Sequence, residues 1–84
     1  MSTQIKMYGV AWCPDCMLAK QIFKQHAIPY EWIDVSVDIE AATLVERQNN
    51  GNRSVPTIVF PDGAVLTEPT KAALSKKLVD MSRQ

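Results

Sequence analysis

The chain has 84 residues, 46% of them hydrophobic, and its nine basic and nine acidic residues cancel to zero net charge at neutral pH. That length allows one small domain, residues 1–84, with no room for a second core, and the apolar content excludes wholesale disorder. No run of like charge exceeds Lys76-Lys77 and no apolar stretch approaches a bilayer span, so neither nucleic acid nor a membrane is expected as a partner.

Ile5 to Val10 reads as a mostly apolar, buried strand, with Gly9 its weak point and the bend into the next loop. From Pro14 the period becomes helical. Leu18 and Ile22 form one i, i+4 row and Ala19, Phe23 and Ala27 another, while Lys20, Gln21, Lys24 and Gln25 fall on the other face. Pro14 suits a first helical turn, where its missing N–H costs nothing, and Ile28-Pro29 ends the helix. A second strand follows from Tyr30 to Val35, with Tyr30 and Trp32 on one face and Ile33 and Val35 on the other. Asp38 is the expected N-cap of a helix through about Gln48, stopped by Asn49-Asn50-Gly51, whose residues tolerate left-handed backbone.

Thr57 to Phe60 makes a third strand, which Pro61-Asp62-Gly63 turns into a fourth, Ala64 to Leu66. Thr67 or Glu68 followed by Pro69 starts the last helix, with Leu74, Leu78 and Met81 as its buried stripe. The order is βαβαββα. A β-α-β opening demands a parallel pair with a right-handed crossover, and the hairpin adds antiparallel strands. The expected architecture is α/β, a four-stranded mixed sheet with helices on both faces.

Both cysteines lie in Cys13-Pro14-Asp15-Cys16, at the first strand-to-helix junction. Two intervening residues let the sulfurs meet, and a sulfur at a helix N-terminus sits in a field that favours thiolate. A thiolate with a second thiol in reach is the minimal apparatus for thiol–disulfide exchange. On the residues alone three readings stand: exchange, half a zinc site, or two cysteines without a shared role. His26 ends the first helix about 18 Å from Cys13 by helical rise, too far for proton transfer or a shared metal. The opening Met1-Ser2-Thr3-Gln4 lacks the basic-then-apolar layout of a secretory leader. A cytoplasmic location is therefore expected, where a lone cysteine pair cycles rather than serving as a permanent staple.

Three stretches carry a family resemblance. They are Tyr8-Gly9-Val10-Ala11-Trp12-Cys13-Pro14-Asp15-Cys16, then Ile28-Pro29-Tyr30-Glu31-Trp32-Ile33-Asp34, and Asn50-Gly51-Asn52-Arg53-Ser54-Val55-Pro56-Thr57-Ile58-Val59-Phe60-Pro61-Asp62-Gly63. With this strand order the chain resembles the glutaredoxins of the thioredoxin superfamily, most closely the mycoredoxin-like branch. The resemblance implies Cys13 as attacking thiolate, Cys16 as resolving thiol, and a cis peptide at Val55-Pro56 that exposes the Val55 backbone to an extended substrate. It also implies substrate contacts from Trp12, Pro14, Asp15, Arg53, Val55, Pro56, Thr67 and Glu68. Asp15 reads either as a solvated helix-start residue or as one that tunes the thiolate and repels acidic partners. Arg53 reads either as a solvated loop residue or as a clasp for the carboxylate of a small thiol.

Glutathione-using members commonly carry lysine where this chain has Val10, Gly-Gly where it has Leu66-Thr67, and aspartate where it has Thr70. The Trp-Ser-Gly-Phe-Arg-Pro signature of ribonucleotide-reductase-linked redoxins is absent too. What the resemblance implies is a monomeric thiol–disulfide oxidoreductase acting on protein disulfides or small-thiol mixed disulfides. It would hold no bound cofactor or metal and use mycothiol, glutathione or a similar thiol as co-substrate. Two alternatives stand beside it: a dedicated electron donor recharged by a thioredoxin-reductase-type flavoprotein, and a dimer binding a metal or iron–sulfur cluster.

Overall fold

The apolar run near the start of the chain becomes strand β1 (Ile5–Gly9), an inner strand of a four-stranded sheet, in a computed structural model that describes residues 4–82. Residues 1–3, on which most of the leader reading rests, lie outside the described part. β1 pairs in parallel with β2 (Tyr30–Asp34), Met7 opposite Trp32 and Gly9 opposite Asp34. On its other side β1 pairs antiparallel with β3 (Thr57–Val59), which pairs antiparallel with β4 (Val65–Thr67), giving the order β2-β1-β3-β4. Helices α1 (Pro14–Gln25), α2 (Ile39–Gln48) and α3 (Lys71–Ser82) complete the expected βαβαββα.

Alternation along the strands divides the interior into two cores. Ile5 and Met7 of β1 and Ile58 of β3 pack with Ala19, Ile22 and Phe23 of α1 and with Leu74 and Leu78 of α3. On the opposite face Tyr8 and Val35 pack with Ala41, Ala42 and Val45 of α2. β2 alternates as its sequence requires, Tyr30 and Trp32 lying against the first core and Ile33 against the second. Asp38 caps α2 as expected, its carboxylate accepting the Ala41 N–H at 3.0 Å. Among the described residues no helix is long and apolar enough to cross a membrane.

Several boundaries differ from the sequence reading. α1 stops at Gln25, before Ile28-Pro29, because Ala27 turns left-handed (φ 54°) and Ile28 N–H reaches back to Phe23 O at 3.1 Å. Ala27 is therefore outside the helix and exposed. Leu18 is exposed too, since Cys16, Ala19 and Phe23 set the buried stripe and leave Leu18 at its margin. β4 runs one residue later than expected, through Thr67. The last helix starts at Lys71 rather than at Pro69, with Thr70 Oγ1 accepting the Ala73 N–H at 3.1 Å. Glu68 cannot start it, because its backbone is left-handed (φ 46°) and its N–H is bonded to Pro56 O at 2.8 Å.

Gly9 is where strand, helix and loop converge. A Cβ on Gly9 would lie 2.6 Å from Cys16 Sγ and 2.7 Å from Trp32 Cη2, both far inside van der Waals contact. Glycine is needed here for the space that sulfur and indole jointly occupy. Gly9→Ala is expected to destabilise the reduced protein by about 1–3 kcal/mol, the cost of overpacking a filled site. Urea unfolding followed by circular dichroism checks this; an unchanged midpoint would mean the space is not filled as described.

Candidate active site

The two sulfurs sit at the N-terminus of α1 in different surroundings. Cys13 is the N-cap residue, with extended backbone (φ −89°, ψ 116°), and Pro14 occupies the first turn, where no donor is lost. The Cys13 sulfur accepts the Cys16 backbone N–H at 3.2 Å, so a helix-start donor points at the atom where negative charge would develop. Cys13 is half-buried, whereas Cys16 is 1% exposed. Both are free thiols.

Burial pushes the Cys16 thiol up to about 12, and the hydrogen bond to Cys13 and the charges of Cys13 and Asp15 add to this, against a backbone hydrogen bond from Val10 that works the other way. Cys16 therefore keeps its proton at neutral pH. The Cys16 sulfur and the Trp32 ring share the space over Gly9, and the Lys20 ammonium sits over that ring, 3.6 Å from its centroid.

Across from Cys13 lies the loop before β3. The Val55-Pro56 peptide is cis, and the Val55 carbonyl accepts from the Cys13 thiol at 3.9 Å. Pro56 is fully buried, and its carbonyl takes the Glu68 N–H, so the segment after β4 is bound to the loop. Trp12 is 72% exposed beside Cys13 and Asp15 is exposed in the first turn of α1.

Other candidates are committed elsewhere. Arg53 is exposed and its Nε donates to Glu46 of α2. Thr67 donates its hydroxyl to Asn49 Oδ1 at 2.7 Å. The structure thus brings together Trp12, Cys13, Pro14, Asp15, Cys16, Val55 and Pro56, with Glu68 joined through the backbone. Asn49, expected as part of a helix stop, also bonds through its side chain to Thr57 and Thr67, and Thr57, expected as the start of the third strand, is fully buried; no local pattern marks these long-range contacts. Among the described residues no group of three or more His, Cys, Asp or Glu side chains is arranged to hold a metal ion.

A βαβαββα fold with one half-buried and one fully buried thiol at its first strand–helix junction, faced by a proline loop, defines a thioredoxin-like redox protein. The glutaredoxin family profile matches residues 5–65, and Mycoredoxin 1 of Corynebacterium glutamicum is 38% identical over 77 residues, 90% of this chain and 94% of that one. The chain belongs to the glutaredoxin family, and its activity is thiol–disulfide oxidoreduction. The thioredoxin-like protein BC3987 superposes with a TM-score of 0.76 at 29% identity, over 89% of this chain and 99% of that one. A glutaredoxin from Archaeoglobus fulgidus, 23% identical, shares the fold with a TM-score of 0.68 over 98% of this chain and 88% of its own.

The raised Cys16 thiol has a consequence for stability. As pH rises above 9.0, its ordinary value, the unfolded chain gives up this proton while the folded chain holds it until about 12. The unfolded state then binds fewer protons, so the reduced protein loses stability across that window. Tyr8 and Tyr30, raised mainly by burial, act in the same direction, so Cys16→Ser isolates the thiol. The expected result is a shallower loss of stability with alkaline pH in Cys16→Ser than in the parent, read from denaturant midpoints at successive pH values. Parallel curves would contradict it.

Proposed function

We propose that the chain is a dithiol oxidoreductase in which Cys13 attacks and Cys16 resolves, working as a single-domain monomer in the cytoplasm. The observation that carries this reading is the contrast between a half-exposed Cys13 sulfur receiving a helix-start N–H and a buried Cys16 that keeps its proton. The Cys13 thiolate attacks one sulfur of a substrate disulfide, expelling the other half as a thiolate and leaving a mixed disulfide on Cys13. Two routes then release the product. Cys16 gives up its proton and attacks Cys13 Sγ, closing the Cys13–Cys16 disulfide and expelling the bound half as a thiolate, or a second small thiol attacks the small-thiol sulfur held on Cys13, forming a small-thiol disulfide and expelling the Cys13 thiolate. Either route passes two electrons from thiols to the substrate disulfide.

Burial, which holds the proton on Cys16, favours the small-thiol route at neutral pH. Val55 offers its backbone to an extended substrate, as an added strand would use it. Trp12 supplies an exposed apolar flank and Asp15 disfavours acidic partners. The small thiol is of the mycothiol class rather than glutathione. Support comes from the resemblance to Mycoredoxin 1, and from Leu66 and Thr67 standing where glutathione users have two glycines. Leu66 packs against the first core and Thr67 is tied to Asn49, so neither leaves the backbone bare for a tripeptide.

Cys13→Ser is expected to abolish turnover of every disulfide substrate. Cys16→Ser is expected to keep turnover of small-thiol mixed disulfides while losing reduction of protein disulfides. Initial rates on both substrate types check this, and an active Cys13→Ser with an inactive Cys16→Ser would reverse the roles. With the parent protein, mycothiol is expected to support faster regeneration than glutathione or a thioredoxin-reductase-type flavoprotein. Faster regeneration by the flavoprotein would identify a dedicated electron donor instead.

A further inference from the structure

Asn49 closes α2 and touches neither cysteine, yet its side chain joins three separate segments. Its Nδ2 donates to Val45 O at 2.8 Å within α2 and to Thr57 Oγ1 at 3.1 Å at the start of β3. Its Oδ1 accepts from Thr67 Oγ1 at 2.7 Å at the end of β4. Thr57, 0% exposed, donates a hydrogen bond from its own hydroxyl to Ser54 O at 2.7 Å. Ser54 is followed directly by Val55, whose carbonyl faces the Cys13 sulfur.

The direction of this chain follows from proton counting. A hydroxyl has one proton to give. Because the Asn49 amide donates to Thr57, the Thr57 proton is free for Ser54 O; because Thr67 donates to Asn49 Oδ1 and Val45 O holds Nδ2, the amide has one satisfied orientation. The relay therefore runs one way, from Thr67 through Asn49 and Thr57 to Ser54, and a carboxylate at position 49 would draw the Thr57 proton away from Ser54.

We propose that Asn49 is a positioning residue of the redox site, fixing the Ser54–Pro56 loop through Thr57 so that the Val55 backbone is presented beside Cys13 to the incoming disulfide. This rests on Cys13 being the reacting sulfur. The effect belongs to substrate seating, not to the sulfur itself, so it moves KM and leaves kcat.

The test is steady-state reduction of a disulfide-bearing peptide by Asn49→Asp, Thr57→Val, the double variant, and Thr57→Ser, with thermal melts alongside. Expected for Asn49→Asp and for Thr57→Val is a rise in KM of about tenfold at unchanged kcat, the size of one lost hydrogen bond to the loop. The double variant is no worse than either single one, since both break one relay, and Thr57→Ser, which keeps the hydroxyl, restores the parent KM. Thr67→Val, at an exposed position, removes the first donor of the relay without touching the buried Thr57 and raises KM in the same direction by a smaller factor. Folded variants with the parent KM, or effects of Asn49→Asp and Thr57→Val that simply multiply, would overturn the proposal. Cys13→Ser, run in parallel, separates the two ideas: if it still turns over substrate, the assignment of Cys13 is what fails.

Discussion

The space above Gly9 is filled twice, by the sulfur of Cys16 from α1 and by the edge of the Trp32 indole from β2. That shared occupancy decides how α1 docks on the sheet, because the first turn of the helix comes down only as far as the missing side chain allows. With Cys16 seated there, Cys13 is left one turn earlier at the helix N-terminus, outside the core and open to a partner. The difference between two chemically identical thiols is thus a packing outcome. Burial holds the proton on one sulfur, and a helix-start N–H is aimed at the other.

The second core supports the opposite wall of the site. α2 packs on Tyr8 and Val35, and its C-terminus reaches the strands that flank the proline loop. The loop is gripped at Ser54 by Thr57 and at Pro56 by the Glu68 N–H, leaving Val55 between two fixed points. Cys13 meets the Val55 carbonyl because two cores on opposite faces of one sheet each deliver one wall.

Features set by neighbours in sequence were legible before any coordinates. The start of α1 at Pro14 with Ala19, Ile22 and Phe23 inward, the face alternation of Tyr30, Trp32 and Ile33, the Asp38 cap and the turn at Pro61-Asp62-Gly63 each depend on a few adjacent residues, and each is found where expected. The cysteine pair is legible for the same reason. Long-range contacts were not. Leu18 is exposed because Cys16 belongs to the buried stripe, which a count of conventional apolar residues overlooks. The last helix starts late because Glu68 is held by Pro56, twelve residues upstream in sequence and adjacent in space. Arg53 pairs with Glu46, and Asn49 serves three segments at once, through contacts that no local pattern encodes.

The central claim is the inequality of the two sulfurs, and timed alkylation of the reduced, folded protein reads it most directly. Iodoacetamide is applied at neutral pH, and the adducts are located by mass spectrometry of peptides from quenched samples. The account predicts a single early adduct on Cys13, with Cys16 modified only at the rate at which the protein unfolds, and both modified quickly in denaturant. Equal labelling of the two in the folded protein, or Cys16 labelled first, would contradict it.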